Sequence, residues 1–348
     1  MSAHVIAADR LGEWVATLLS SRRVAGPVRD ADGVVHFRDL DEAGQLALDF
    51  DNSAEPPKAL FFPKSETLFE LRDLGDVPNV TTHVPPAHTW VLFGVRLCDA
   101  KGLMLLDLLF ADREADPYYV RRRESGTVVA LRCDEPTVEC FCETAGSVLS
   151  APEGADVVLT PLEGRFLVES FSPKGEALVA GAGALLAEAH AADLEAKGET
   201  VRQAAAAQRR QVNLEGIRDA IAARFDDQDL WRRFSRACVG CGICTFLCPT
   251  CSCFDVLDDA AGANGKRYRC WDSCQFDQFC LEASGHDPRP ERWVRQRNRV
   301  AHKLYYSVDR FGRVTCVGCG RCIRQCPVNV DITEAVRAVA APAPESTE

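Results

Sequence analysis

No apolar stretch in the chain approaches the ~20 residues that a helical membrane span needs. The longest runs, Trp90 to Val95 and Leu103 to Phe110, stop well short. Basic charge is scarce as well: 40 Lys and Arg against 51 Asp and Glu leave a formal net charge of -11. Nucleic acid requires a basic footprint, so small molecules and proteins are the expected partners. No secretory signal is expected, because Asp9, Arg10 and Glu13 interrupt Val5 to Leu19 where its apolar core would sit. The expected location is the cytoplasm. The 7 histidines form no H-x-x-x-H or H-E-x-x-H pair, which leaves a hydrolytic metal site without support. There is no G-x-G-x-x-G after a strand and no G-x-x-x-x-G-K-[ST] loop, so the chain itself is not expected to bind a nucleotide. Gly181-Ala-Gly183 sits among alanine and leucine and reads as a weak helix.

What the chain has in excess is cysteine, 17 in 348 residues. A reducing compartment does not maintain disulfides, so metal ligation is the default reading. Four cysteines lie between Cys98 and Cys142, none from Glu143 to Ala237, and thirteen from Cys238 to Cys326. That gap marks a boundary. Before it, strand-like runs at Trp90 to Val95, Thr127 to Arg132, Asp156 to Thr160 and Arg165 to Phe171 alternate with helical spacing at Arg10 to Leu19 and Ala100 to Phe110. The expected class is α+β: a mixed α/β domain over 1–185, a helical bridge over 186–230, a helical two-cluster ferredoxin-like domain over 231–335 and a flexible tail over 336–348. The stretch Glu176 to Phe225, rich in Ala, Glu, Gln and Arg, predicts helices broken near Gly198.

Cys238-Val-Gly-Cys241-Gly-Ile-Cys244-Thr-Phe-Leu-Cys248-Pro249 is a C-x2-C-x2-C-x3-C-P run, and Cys316-Val-Gly-Cys319-Gly-Arg-Cys322-Ile-Arg-Gln-Cys326-Pro327 repeats it in full. Three thiolates on one tight, glycine-bearing loop can wrap three iron corners of a cubane, while the fourth lies out of reach. In two-cluster ferredoxins the fourth cysteine of each run ligates the other cluster. That predicts one [4Fe-4S] cluster on Cys238, Cys241, Cys244 and Cys326, and a second on Cys316, Cys319, Cys322 and Cys248. Zinc knuckles use two cysteines each and would leave the third and the Cys-Pro unexplained. The 67 residues from Pro249 to Thr315 replace the short hairpin of a compact ferredoxin and look helical, notably over Glu291 to Tyr306.

Between His286 and Arg313 stand eight Lys or Arg against three acids. Two readings stay open: a solvated helix face, or Arg295, Arg297, Arg299 and Lys303 offsetting cluster charge or docking an acidic partner. Cys251, Cys253, Cys270, Cys274 and Cys280 are expected to be buried small hydrophobes or weak S–H donors, since no single loop offers three ligands. A third [4Fe-4S] cluster is expected on Cys98, Cys133, Cys140 and Cys142. Cys98 and Cys133 follow predicted strands, and an extended Cys140-Phe-Cys142 step would turn both thiols to one side.

Several segments together resemble one family, the iron-sulfur beta subunits of cytoplasmic NAD(P)-linked nickel-iron hydrogenases (sulfhydrogenases), which are similar to the iron-sulfur electron-transfer subunit of anaerobic sulfite reductase. They are Phe61 to Phe69, Phe93 to Asp99, Tyr118 to Arg123, Cys140 to Cys142, Cys248 to Cys251, Trp271 to Cys274, Asn298 to Tyr305 and both cysteine runs. The resemblance implies a subunit without substrate chemistry of its own, relaying electrons between a flavin NAD(P)H-oxidoreductase subunit and the subunits that house the catalytic centre. It favours hydrogenase over a sirohaem sulfite reductase; a stand-alone sulfur or disulfide reductase is the reading from a different class.

Overall fold

The computed structural model describes residues 3–72 and 79–341. Its strands are β1 (Ala3–Ala7), β2 (Arg23–Arg29), β3 (Val35–Asp39), β4 (Ser65–Arg72), β5 (Asn79–Thr82), β6 (Trp90–Arg96), β7 (Gly126–Leu131), β8 (Val157–Leu162), β9 (Arg165–Ser170), β10 (Ala187–Glu188), β11 (Phe254–Ala261) and β12 (Asn264–Trp271). The helices used below are α1 (Leu11–Leu19), α2 (Leu97–Phe110), α3 (Pro117–Ser125), α4 (Cys142–Gly146), α5 (Pro173–Ala180), α6 (Ala191–Ala207), α7 (Ile217–Ala223), α8 (Gln228–Ser235), α9 (Ile243–Phe246), α10 (Arg292–Leu304), α11 (Tyr306–Phe311), α12 (Arg321–Arg324) and α13 (Ile332–Ala340).

Eight strands form one sheet in the order β10-β1-β9-β8-β7-β6-β2-β3. Its centre, β2, β6, β7 and β8, is parallel, and the flanks are antiparallel. Central strands are buried on both faces, which is why β6 and β7 are continuous apolar runs. Alternation divides them: Val91, Phe93, Val129 and Leu131 meet Trp14, Val15 and Leu18 of α1, while Leu92, Val95, Val128 and Ala130 meet the leucines of α2. The second core does not stop at the sheet but continues through Cys98 and Cys142 into Val317 and Cys319. A third core gathers α7, α8, α10 and α13 around Trp231, Val300 and Ile332, and reaches back to Phe141 and Ala145.

Three expectations need correction. Gly198 lies inside α6, which runs unbroken from Ala191 to Ala207. A glycine costs a helix about 1 kcal/mol, too little to break one packed against the sheet. The chain turns instead at 181–188, where β10 adds a two-residue edge to β1, and at Gln208, whose buried side chain is tied to the segment around Cys142. The insert between the runs is not purely helical either. Its α10 matches the expected helix, but β11 and β12 form a hairpin that pairs with β4 in a second sheet, order β11-β12-β4-β5. Finally, 336–340 do not belong to a tail: they complete α13, which buries Val336 and Val339. The remaining tail residues 342–348 lie outside the described residues.

Candidate metal centres

Each run folds as the iron-binding loop requires. Gly240 and Gly242 in the first, Gly318 and Gly320 in the second, have positive φ, which turns the backbone around the thiols and opens the single-turn helices α9 and α12. Cys238, Cys241 and Cys244 line the wall of one pocket together with Cys326 of the other run. Arg299, Gln296 and Val330 complete that wall. The Gln296 amide donates to Cys238 Sγ at 3.0 Å, the Gly240 N–H to the same sulfur at 3.4 Å, and the Val330 N–H to Cys326 Sγ at 3.2 Å.

Cys248 comes within electrostatic reach of the opposite run as well as of Cys244 in its own. Burial pushes the Cys322, Cys319 and Cys316 thiols up, and the Cys248 charge is among the further causes for each. Cys248 itself is drawn well below the usual thiol range, first by a hydrogen bond from the Cys251 thiol and also by Lys303, Thr250 and Lys58. Among the described residues no group of three or more Cys, His, Asp or Glu side chains is set to hold a single metal ion. The first run shares its pocket with Cys326, and together they make the four thiols that an exchanged-ligand cluster would use.

Helix α10 resolves the question of its own charge. Arg295, Arg299 and Lys303 fall at i, i+4 and i+8 and are all buried, so this is no solvated face. Arg295 donates to the carbonyls of Arg289 and Pro290, each at 2.9 Å, and Arg297 packs its guanidinium 4.0 Å from the Phe225 ring centre. Arg299 faces thiols of both runs: burial opposes its charge, but Cys244 and Cys322 more than offset this and raise its pKa. Lys303 is raised in the same way by Cys248, Cys251 and Cys316. These two cations face the sulfurs where cluster charge would accumulate.

The N-terminal four occupy one sheet edge. β6 and β7 pair in parallel, and Cys98 and Cys133 lie just past their carboxyl ends, where ligands of open α/β sheets bind. Cys140 and Cys142 approach from the following loop, while Phe141 between them turns into the helical core. Burial pushes the Cys98, Cys133 and Cys142 thiols up, and further causes couple Cys98 to Cys133, and Cys133 to Cys140. Gln208 donates to Cys142 Sγ at 3.0 Å. Cys133 is therefore within electrostatic reach of the other three.

Sequence reasoning missed how tightly this group abuts the second run. The Phe141 N–H donates to Gly318 O at 2.9 Å, and Asn52 donates to Cys319 O at 3.0 Å. Arg321 is wholly buried and forks onto the equally buried Asp99 carboxylate at 2.6 and 2.8 Å, with Ser53 taking its other donors. Asp99 follows Cys98 and Arg321 precedes Cys322, so one ion pair clamps the two sets together. The available signal was a charged residue inside each motif, Arg where the first run has Ile243.

Comparison with known proteins finds a domain match and a relative over most of the chain. Residues 237–330 match the family model described as a 4Fe-4S dicluster domain. Over 320 residues, 92% of this chain and 92% of the relative, the sequence is 34% identical to sulfhydrogenase 2 subunit beta of Pyrococcus furiosus.

Proposed function

The chain belongs to the family of sulfhydrogenase beta subunits, and from that premise we propose that it is the electron-transfer subunit of a hydrogenase complex. In this reading it passes electrons between a flavin subunit that handles NAD(P)H and nickel-iron catalytic subunits, in the cytoplasm. Among the described residues no helix is long and apolar enough to cross a membrane. A [4Fe-4S] cluster, when bound, supplies reversible one-electron storage.

The chain's residues provide everything else. Cys238, Cys241, Cys244 and Cys326 would hold one cluster and Cys316, Cys319, Cys322 and Cys248 the second. The observation that carries this is Cys326 on the wall of the first run's cavity, where the exchanged-ligand pattern requires it. Cys98, Cys133, Cys140 and Cys142 would hold the third. Arg299 and Lys303, with the amide donors to sulfur, favour the reduced and more negative state and so raise the potential. The first run keeps an exposed edge, Val239 and Cys241, beside a groove bordered by Arg232, Arg236 and Arg292. That edge is where a partner's centre would come close.

Anaerobic purification of the whole chain tests the reading. A brown protein with about 12 iron atoms on these twelve thiols is expected, falling by about 4 in Cys140→Ser while the run signals persist in electron paramagnetic resonance. The single chain should carry no flavin and should not reduce NAD(P)⁺ until a flavin subunit is added. A colourless, zinc-loaded protein would overturn it.

A further inference from the structure

The first cysteine run ends in Cys248-Pro249-Thr250 and the second in Cys326-Pro327-Val328, so a hydroxyl stands in one where the other has a methyl. That hydroxyl is fully engaged. Thr250 is buried; its Oγ1 donates to the Thr315 carbonyl at 2.7 Å, accepts from Lys303 Nζ at 2.7 Å and lies 3.2 Å from Cys248 Sγ. Thr315 in turn gives its N–H to the Lys303 carbonyl at 2.9 Å and directly precedes Cys316, the first thiol of the second run. One side chain thus fastens the last cysteine of the first run to the opening of the second. At Cys326 the donor to sulfur is instead the Val330 N–H at 3.2 Å, a backbone group.

Protons order these contacts. The Lys303 ammonium can only donate, so it occupies a lone pair of Oγ1. A cysteine that ligates metal is a thiolate and can only accept. The Thr250 hydroxyl therefore has one proton and two acceptors before it, the neutral Thr315 carbonyl and the Cys248 sulfur. Hydrogen bonds to an ionised partner are roughly twice as strong as those between neutral groups. The sulfur thus gains on the carbonyl as negative charge builds up on it. Lys303 is buried and among the described residues has no carboxylate partner, so its charge polarises the hydroxyl it donates to.

We propose that Thr250, backed by Lys303, donates its hydroxyl proton to the Cys248 sulfur and thereby sets the reduction potential of the cluster that Cys248 ligates. Reduction adds negative charge to the ligand sulfurs, so a donor there stabilises the reduced form more than the oxidised one and raises the potential. The first run's own thiols have no counterpart of this hydroxyl, because Val328 takes its place beside Cys326. The effect is therefore confined to one cluster. The proposal rests on the electron-carrier reading above.

A redox titration of the full chain, loaded with iron and sulfide without oxygen and followed by electron paramagnetic resonance, tests it. Thr250→Val and Thr250→Ala remove the proton; Thr250→Ser keeps it. The signal to follow is the one that Cys248→Ser removes. In both hydroxyl-free variants the ratio of reduced to oxidised cluster at a fixed potential should fall about tenfold, a midpoint lower by about 59 mV for one electron. Thr250→Ser should titrate like the wild type, and the other run's signal should not move. An unchanged midpoint without the hydroxyl would overturn the proposal. So would an equal shift in Thr250→Ser, which would assign the effect to packing, or an equal shift of both run signals, which would mark a general change of structure. Failure of both hydroxyl-free variants to bind iron would make Thr250 a structural tie alone and also count against it. A wild type with no reducible signal would instead defeat the electron-carrier reading itself.

Discussion

The two cysteine runs share the letters C-V-G-C-G-x-C and end up in opposite environments. In the first, Val239 is 57% exposed and Cys241 lies at the surface; in the second, the matching Val317 is 2% exposed and Cys319 is buried. One residue differs within the motif core, Ile243 against Arg321. The isoleucine is only half-buried, whereas the arginine is drawn under the sheet edge by Asp99. Identical ligand loops thus become an outward port and an inward station, and what surrounds them decides which. The potential of such a cluster depends on burial, charge and hydrogen bonds to sulfur, so the two should not be electrically equivalent.

The comparison breaks most completely if the runs do not share ligands. Cys248→Ser, a change in the first run, should abolish the signal of the buried cluster on Cys316, Cys319 and Cys322 while leaving the exposed one, with a loss of up to about 4 iron. Loss of the exposed cluster's signal alone would show that each run serves itself. The next largest effect concerns the clamp. Asp99→Ala strands the Arg321 charge in the core and should cost about 3–5 kcal/mol in denaturant unfolding of the holoprotein, whereas Ile243→Ala, at a half-buried site, should cost about 1 kcal/mol. Equal losses would mean that the second run is not sealed by this pair.

Glycines sharpen the contrast further. A Cβ at Gly318 would lie 2.6 Å from Cys142 Cα and Phe141 C, backbone atoms that cannot step aside. At Gly240, with a similar φ, the nearest atom is Gln275 O at 3.5 Å. Gly240→Ala should therefore cost only the left-handed conformation, about 1–2 kcal/mol, while Gly318→Ala adds about 1–3 kcal/mol of overpacking and should loosen Cys140 and Cys142 as well. Similar melting temperatures for the two variants would contradict the direct contact between the second run and the N-terminal thiols.

Much of this was legible in sequence because the signals are local. Two complete motifs specify iron, and the apolar runs at 90–95 and 127–132 specify buried strands, since an unbroken apolar run of strand length is readable within six residues. What could not be read is non-local. The segment 254–271 has exposed, charged strands held mainly by pairing with β4, nearly two hundred residues earlier, so it lacks the apolar alternation that marks a half-buried strand. Arg321 and Asp99 look like surface charges until the fold sets them against each other. The charges of α10 left two readings open because composition counts residues and not directions; the four-residue spacing of Arg295, Arg299 and Lys303 was the readable clue.

The smallest effect expected belongs to the outward port. Arg232 and Arg236 are exposed on the groove beside Val239, and among the described residues the Arg232 side chain meets only the exposed Glu291 at 3.5 Å and the Trp293 ring, so reversing them should leave iron content alone and cost little stability. Their field acts on whatever approaches Cys241. In a chain of net charge -11 a local basic groove selects anionic approach, by electrostatic steering that weakens with salt. Arg232→Glu with Arg236→Glu should slow oxidation of the reduced protein by the anionic chelate ferric-EDTA several-fold at low ionic strength, and should leave or quicken oxidation by the cation hexaammineruthenium(III). The difference should shrink as salt approaches 1 M, where the screening length falls to about 3 Å. Reversal of the exposed pair Arg22 and Arg38, far from either run in sequence, supplies the control for net charge alone. If that control changes the ratio of the two rates as much as the groove variant does, electrons do not leave past the first run, and the contrast between port and station is wrong at its outer end.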